Sequence, residues 1–458
     1  MRKMTRAIFE QFWTSEDDQM PDIVTEYHEK FKRISELLSA QPEILATVHR
    51  DLATMDKVSG REREADFTSE NLFRALVVMQ IEGWDYRELT IRLHESELLQ
   101  NFCRLFKKKT IDFTLLCKAF GVIQPETLET INRLFAIRMT HEGKIDPENI
   151  RTDTTVTECN IHYPTDSSLL WDCYRVLERN IAKVRKITGK IDLSDIRFHL
   201  KKIKKLHLDI TRFSKSKDTK RQQKVVHWKK TLTERVKHTV DKMVNVTKKL
   251  LDSANLTVQA IGLELNEKLP VMAQVVNVAE RNLSGEKVPA TEKVYSIFEP
   301  HTELIQRGKA DKPVEFGHKV LLSSCPQIFI TDYRVFEFSP SDTTMLPMVI
   351  EGHKEIYGKN PKTVSADKGF RPESDDFEEL QDEVEYLSVP KRLSDLGDAL
   401  MAEHQRFRAG IEGTISCLKR AFRLARCHFR GFKGFCRAIG SAVFCHNLVV
   451  MARREESG

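Results

Sequence analysis

Apolar positions recur at helical spacing through the first third of the chain. Between Asn71 and Ile81 they fall at 72, 73, 76, 77 and 81, the period of a helix with one buried face. Gly83 punctuates that run. Asp85-Tyr-Arg-Glu-Leu-Thr-Ile-Arg-Leu93 then starts a second helix, with Asp85 as its N-cap. Helix, glycine turn, helix suits an ordinary helical hairpin, which periodicity alone favours, and also a groove-reading helix-turn-helix. Residues 1–147 read as helical throughout.

The pattern changes at Asn149. Asn149 to Thr157 is rich in β-branched residues and predicts a strand. From Ser167 to about Leu265 the chain is helical again, with Pro270 marking the far side. Apolar positions Val184, Ile187 and Ile191, then Val236, Val240, Met243, Val244 and Leu251, suggest a two-helix antiparallel arm broken near Ser214–Asp218, with lysines on the other faces. Strand signals return at Pro313–Leu322 and Gln327–Phe336, joined by Ser-Ser-Cys-Pro as a hairpin turn. Next come a helix over Thr343–Tyr357 ended by Gly358, a strand over Thr363–Asp367, an acidic helix over Phe377–Asp382, a strand over Val384–Val389, and a basic helix bearing Glu412. The apolar run Ala438–Ala452 is broken by His446 and Asn447, so it predicts a core helix rather than a membrane span.

Length and charge refine this picture. A chain of 458 residues exceeds one simple core and predicts two or three domains. Net charge is only +6, but its distribution is uneven: Ile181–Leu250 holds 22 Lys and Arg against 6 Asp and Glu. His404–Arg437 holds nine basic residues and one acid, Glu412. Two basic segments on an otherwise acidic chain are the footprint of phosphate-backbone binding. The alternative for the first is a charged coiled-coil spacer with solvated lysines. One-sided charge favours DNA contact, with Lys201, Lys202, Lys204, Lys205, Lys229 and Lys230 as the contacting residues. Lys107-Lys108-Lys109 is a smaller cluster that reads as solvated surface. Nine cysteines without a CxxC pair point to reduced thiols in a cytoplasmic protein. Met1-Arg-Lys-Met-Thr-Arg lacks an apolar stretch after it and does not read as a signal peptide.

Three carboxylates carry the candidate chemistry. Asp153 and Asp367 each sit in a β-prone run, and Glu412 sits in Arg408-Ala-Gly-Ile-Glu412-Gly-Thr-Ile-Ser-Cys-Leu-Lys419, an R-x3-E-x6-K pattern. That spacing puts Arg408, Glu412 and Lys419 on one helix face. Taken singly, each acid is more often a solvated loop residue or half of an i,i+4 ion pair. Together, two strand-end aspartates and a glutamate on a basic helix suit divalent metals held against a phosphate. Asp172 and Asp332 are further carboxylates outside this set; Asp172 opens the insertion helix beside Trp171. Cys417, Cys427, Cys436 and Cys445, with His428 and His446, lack the spacing of a zinc ribbon or finger. No Walker loop or dinucleotide fingerprint is present, so phosphoryl transfer here consumes no nucleotide.

At these residues the chain resembles bacterial insertion-sequence transposases of the DDE class, which have a ribonuclease-H-like catalytic core. The resemblance rests on Arg74-Ala-Leu, Gly83-Trp-Asp-Tyr-Arg-Glu-Leu89, Arg151-Thr-Asp153-Thr-Thr, the run His162 to Asp172, the run Gly308 to Gly317, Ala366-Asp367-Lys-Gly, and Arg408 to Lys419, in that order. The family signature has a tyrosine three residues before the arginine; here that position is Gln405. The resemblance implies an α/β ribonuclease-H-like core with an all-α N-terminal DNA-binding domain (1–147) and a lysine-rich helical insertion after the first core strand. The core would comprise 148–178 and 297–454, and the insertion 179–296. It further implies Asp153, Asp367 and Glu412 as catalytic metal ligands for two Mg²⁺ ions, which Mn²⁺ can replace, and Arg408 and Lys419 as phosphate contacts. Binding of terminal inverted repeats, strand cleavage and joining of 3′-hydroxyls to target DNA follow, on double-stranded DNA, by a dimer or larger assembly, in the cytoplasm and without a membrane. Two alternatives are a plain metal nuclease on the same fold and a non-catalytic DNA-binding product of a decayed element.

Overall fold

The computed structural model describes residues 2–5, 21–55, 66–105, 110–189, 191–194, 196–306, 313–391 and 398–454. The lysine cluster at 107–109 and the first part of the 308–317 run lie outside the described residues. The chain divides into two compact units, one formed by residues 1–159 and 317–458, the other by 160–316.

In the first unit, the described residues before the sheet include the helices α1 (Asp22–Ser39), α2 (Pro42–Leu52), α3 (Ser69–Glu82), α4 (Tyr86–Glu95), α5 (Glu97–Phe102), α6 (Phe113–Val122) and α7 (Pro125–His141). Thr68 and Asn71 form a capping box at the start of α3, and Gly83 ends it in the left-handed region at φ 66°. A side chain is strained at that φ, which explains the glycine turn. Asp85 caps α4 by accepting from the Arg87 and Glu88 amides. Helix α3 is buried nearly all round, from Ser69 to Gln80, so it is a core helix and not the one-sided amphipathic element that the spacing suggested.

Strand β1 (Asn149–Cys159) follows, and its chain continues into the second unit. There, α8 (Asp166–Ile187), α9 (Leu200–Phe213), α10 (Thr219–Leu251) and α11 (Leu256–Leu283) come before β2 (Glu303–Gln306). These four helices share one apolar core that includes Leu177, Ile181, Leu232, Val236, Met243, Leu250, Leu265 and Met272. The expected two-helix arm is therefore a four-helix body. Pro270 does not mark its edge but lies inside α11, and the buried seam of α10 runs through Val236, Val240, Met243, Val246 and Leu250, not through Leu251 or the 45% exposed Val244. Thr165, not Asp172, caps α8. Asp172 lies within that helix, buried and paired with Arg175 at 2.7 Å.

The remaining elements are β3 (Val314–Ser324), β4 (Ile330–Val335), α12 (Met345–Tyr357), β5 (Thr363–Ser365), α13 (Ser374–Asp382), β6 (Tyr386–Ser388), α14 (Ala399–Ala421), β7 (Arg426–Cys427) and α15 (Gly431–Arg454). Strand β1 is central. It runs antiparallel to β3 from Arg151↔Ser324 to Glu158↔Gly317, and parallel to β5 from Asn149↔Thr363 to Arg151↔Ser365. Strand β4 continues antiparallel on β3, and β6 continues parallel on β5. Strand β7 also pairs parallel with the far end of β1, and a mixed sheet with antiparallel strands on one side of β1 and parallel strands on the other fits a ribonuclease-H-like transposase core. One sheet face packs Ile150, Leu321 and Val364 against Met345, Val349 and Ile350 of α12. Side chains alternate across a strand, so Arg151 and Asp153 project from the opposite face, where α14 lies. Helix α15 is long and apolar enough to cross a membrane, yet 72% of its most apolar stretch is buried inside the protein. It packs against α1, α3, α7 and β4 and is the core helix expected.

Candidate functional site

Parallel register places the two aspartates side by side. Arg151 faces Ser365; Asp153 lies two residues beyond the first and Asp367 two beyond the second. Asp153, which lies inside β1 and not at a strand end, is thus level with Asp367, which stands just past the end of β5 where the backbone turns. Asp367 caps that turn, its Oδ1 accepting from the Gly369 amide at 2.8 Å. Asp153 Oδ1 accepts from the Thr154 amide at 2.7 Å. The glutamate arrives on α14. Arg408 Nη1 reaches 3.6 Å from Asp153 Oδ2 and 3.3 Å from Glu412 Oε1, linking the helix carboxylate to the strand carboxylate.

Burial pushes the Asp153 carboxyl up to about 6; its hydrogen bond to the Thr154 amide opposes the rise, the charges of Asp367 and Glu412 add to it, and Arg408 counters them. All three carboxylates therefore share one field. Their oxygens do not all approach within 4.8 Å of one another, and Glu412 keeps 67% of its side chain exposed. Oxygen-only donors suit a hard divalent cation, and Arg408 Nε is buried without a hydrogen-bond partner. The residues present fit a divalent metal site.

Two further side chains seat the helix, and neither stands out in the sequence as a site residue. Arg151 is 6% exposed. Its Nε donates to Ser324 Oγ at 3.0 Å and its Nη1 to the Phe407 carbonyl at 3.0 Å, with the guanidinium 4.9 Å over the Phe407 ring. Gly410 provides the room for it, since no side chain fits there. The available signal was strand periodicity: a residue two before Asp153 shares its face. Gln405 is the other seat. Its Nε2 lies 3.1 Å from the Ala366 carbonyl, 3.0 Å from the Ser388 carbonyl and 3.0 Å from Ser388 Oγ. It closes the ends of β5 and β6 directly before Asp367. Lys419 is half-buried further along the face that carries Arg408 and Glu412.

Other residues singled out by sequence lie apart from this site. Asp332, also raised to about 6 by burial, faces Arg334 in a separate cavity of about 320 Å³ whose lining includes none of the three carboxylates. All nine cysteines are free. Among the described residues, Cys417, Cys427, Cys436, Cys445, His428 and His446 form no metal-sized cluster. In the second unit the lysines divide between two faces of α9. Lys201 and Lys204 line a shallow hollow with Trp171, Arg175 and Arg179, while Lys202 and Lys205 line a groove toward α10. On α10 itself Lys229 is half-buried and Lys230 exposed.

Residues 315–448 match the family described as transposase DDE domain. That match supports a DDE transposase of the insertion-sequence type, a class that implies DNA binding. The matched span contains Asp367, Glu412, Arg408 and Lys419, while Asp153 precedes it. No curated protein and no solved structure matches the chain.

Proposed function

We propose that the protein moves an insertion sequence: it binds the terminal inverted repeats, cleaves a strand at each element end, and joins the freed 3′-hydroxyls to target DNA. The observation that carries this reading is the level register of Asp153 and Asp367 on adjacent parallel strands, with Arg408 tying Glu412 to Asp153. Asp153, Asp367 and Glu412 would hold two Mg²⁺ ions, which Mn²⁺ can replace. Ions in such a site activate a hydroxyl nucleophile and stabilise the leaving oxygen of an in-line displacement.

The chain's own groups supply the rest. Arg408 offsets the mutual repulsion of the carboxylates and turns Glu412 toward Asp153. Arg408 and Lys419 present positive charge on one side of α14, where a scissile phosphate and its neighbour would lie. Gln405 and Arg151 hold α14 against the sheet, so that this geometry precedes DNA binding. Helices α1–α7 would read the element ends and the basic helical segment would grip phosphate, in a dimer or larger assembly because two ends must meet.

The test is cleavage of a supercoiled plasmid carrying the DNA that flanks the coding region on both sides. Mg²⁺-dependent nicks at the outer boundaries of imperfect inverted repeats are expected, followed by joined products. Cleavage without joining would leave a nuclease, and binding without cleavage a DNA-binding protein.

A further inference from the structure

Helices α9 and α10 enclose a groove of about 840 Å³ within the second unit. Arg197, Lys202, Lys205, Arg235 and Lys242 line it, and Asp209 is the one carboxylate among its described lining residues. Elsewhere in the same unit, some cations are matched: Lys237 with Glu280, Lys268 with Glu264, and Arg281 with Glu286 and Glu292. Among the described residues, Arg197, Lys202, Lys205 and Arg235 make no ion pair. Both walls of the groove therefore carry uncompensated positive charge, and the floor is aromatic. The Trp228 ring lies in the lining, braced by Phe213 at 6.0 Å between centroids. Tyr174 is buried beneath the start of α9, its hydroxyl accepting from the His199 amide at 2.8 Å.

Shape selects the polyanion. Packed helices stand about 8–10 Å apart, so the groove between them is too narrow for a duplex to enter. A duplex laid across it meets only the rims. One phosphodiester strand can run between the walls and be met from both, with a base lying on the exposed face of an aromatic ring. Cations on two walls with an aromatic platform between them are the parts that single-strand binders combine.

We infer that the α9–α10 groove binds a single strand of DNA, with phosphates on Lys202, Lys205 and Arg235 and a base against Trp228. This rests on the reading of the basic segment as DNA-contacting. It goes beyond that reading in assigning a place and a strandedness. Most of the free energy would be electrostatic, so binding weakens with salt in proportion to the phosphates met.

The experiment uses the full chain and fluorescence anisotropy of a labelled oligothymidine of about 15 nucleotides, within the range of known single-strand sites. A duplex of equal length and polyglutamate serve as comparison probes. Lys202→Gln/Lys205→Gln/Arg235→Gln should weaken oligothymidine binding about tenfold or more and flatten its log–log salt slope by about 2, because about three phosphates are no longer neutralised. Lys217→Gln/Lys220→Gln/Lys224→Gln removes the same charge from the same unit outside the groove and should change it by less than about threefold. Trp228→Ala should weaken binding about fivefold or more while Trp228→Phe retains most of it, because stacking needs a ring. Thermal melts of both triples should match the parent, since the replaced side chains are exposed, and Trp228→Phe keeps the ring that packs against the helical core.

Equal losses from the groove and control triples, on single strand and duplex alike, would overturn the groove and leave the DNA-contacting reading intact. Unchanged binding to every probe in both triples would overturn both. Displacement of oligothymidine by polyglutamate at equal charge would also overturn the inference, because the groove would then accept any polyanion, including an acidic peptide.

Discussion

A Cβ atom on Gly410 would overlap Nη1 of Arg151, well inside contact distance. The glycine stands midway between Arg408 and Glu412, so the arginine that fills its space also sets the position of those two residues. On an exposed helix, Gly→Ala gains about 1 kcal/mol. Here the alanine methyl displaces a buried guanidinium from Ser324 and from the Phe407 carbonyl. Gly410→Ala is therefore expected to lower stability by about 1–3 kcal/mol, the range for overpacking, and to reduce strand cleavage more than tenfold (roughly, for a ligand misplaced by about 1 Å). The pair should be coupled. Arg151→Gln/Gly410→Ala should melt no lower than Arg151→Gln alone, and additive losses in a thermal-denaturation cycle would show that the two residues do not share this seat.

Asp153→Asn, Asp367→Asn and Glu412→Gln should each abolish cleavage while leaving DNA binding nearly intact. Ligands that act as one unit fail as one unit, so each single loss should resemble the triple loss. Plasmid nicking and gel shift on the same preparations check this. A variant that keeps about a tenth of the parent cleavage does not belong to the set.

Gln405 gives a separate handle on the edge of the sheet. Gln405→Leu removes the donor from the Ala366 carbonyl and should cost about 1–2 kcal/mol, the range for a polar group left without its partner. Gln405→Glu should do worse, because at neutral pH it sets a carboxylate against two carbonyl oxygens and near Asp367. The melting temperature of Gln405→Glu should therefore recover on acidification, whereas that of Gln405→Leu should not. Parallel pH profiles for the two variants would refute this account.

Asp153 makes stability depend on pH in a fixed sense. Its folded carboxyl is raised to about 6 from 3.8, with burial as the main cause. A raised carboxyl contributes stability that is fully present below the unfolded value of about 3.9 and is lost as pH rises through about 6. In chelator-treated protein, Asp153→Asn should therefore melt a few degrees higher than the parent at pH 8, with the gap closing toward pH 4. Asp332 is raised equally, but it is present in both proteins and cancels in the difference. A gap independent of pH would show that Asp153 is not strained by its surroundings. Added Mg²⁺ should reverse the order at pH 8, because only the parent keeps the full ligand set.

Periodicity revealed much of this fold and little of its interlocks. The β-branched run Asn149–Thr157, the hairpin around Ser-Ser-Cys-Pro and the helix ended by Gly358 were all legible, because local chemistry decides strands, turns and caps. Strand pairing was not, yet it is pairing that brings Asp153 level with Asp367 across more than two hundred residues of chain. Heptad spacing in the lysine-rich segment showed that its helices bury a seam, but not how many helices share it. The four-helix core needs α8 and α11, and Pro270 suggested a boundary where α11 continues. Gln405 was visible only as a departure from a signature, since the oxygens it meets belong to two strands that are remote in sequence. Arg151 stood in plain view within a motif, but only packing shows that it is buried.

Helix α15 has a consequence for how the protein is made. It covers α1, α3 and α7, yet Gly431 leaves the ribosome 349 residues after Glu82, the last residue of α3. At about 5–20 residues per second, α3 waits about 20–70 s for its cover. The 160–316 unit is continuous and can fold during that interval, whereas the unit that carries the carboxylates is interrupted and cannot. Nascent chains halted between these points should expose the apolar faces of α1, α3 and α7 and depend on a holding chaperone. Nor can any such chain assemble the three carboxylates before synthesis has passed the helix that bears Glu412.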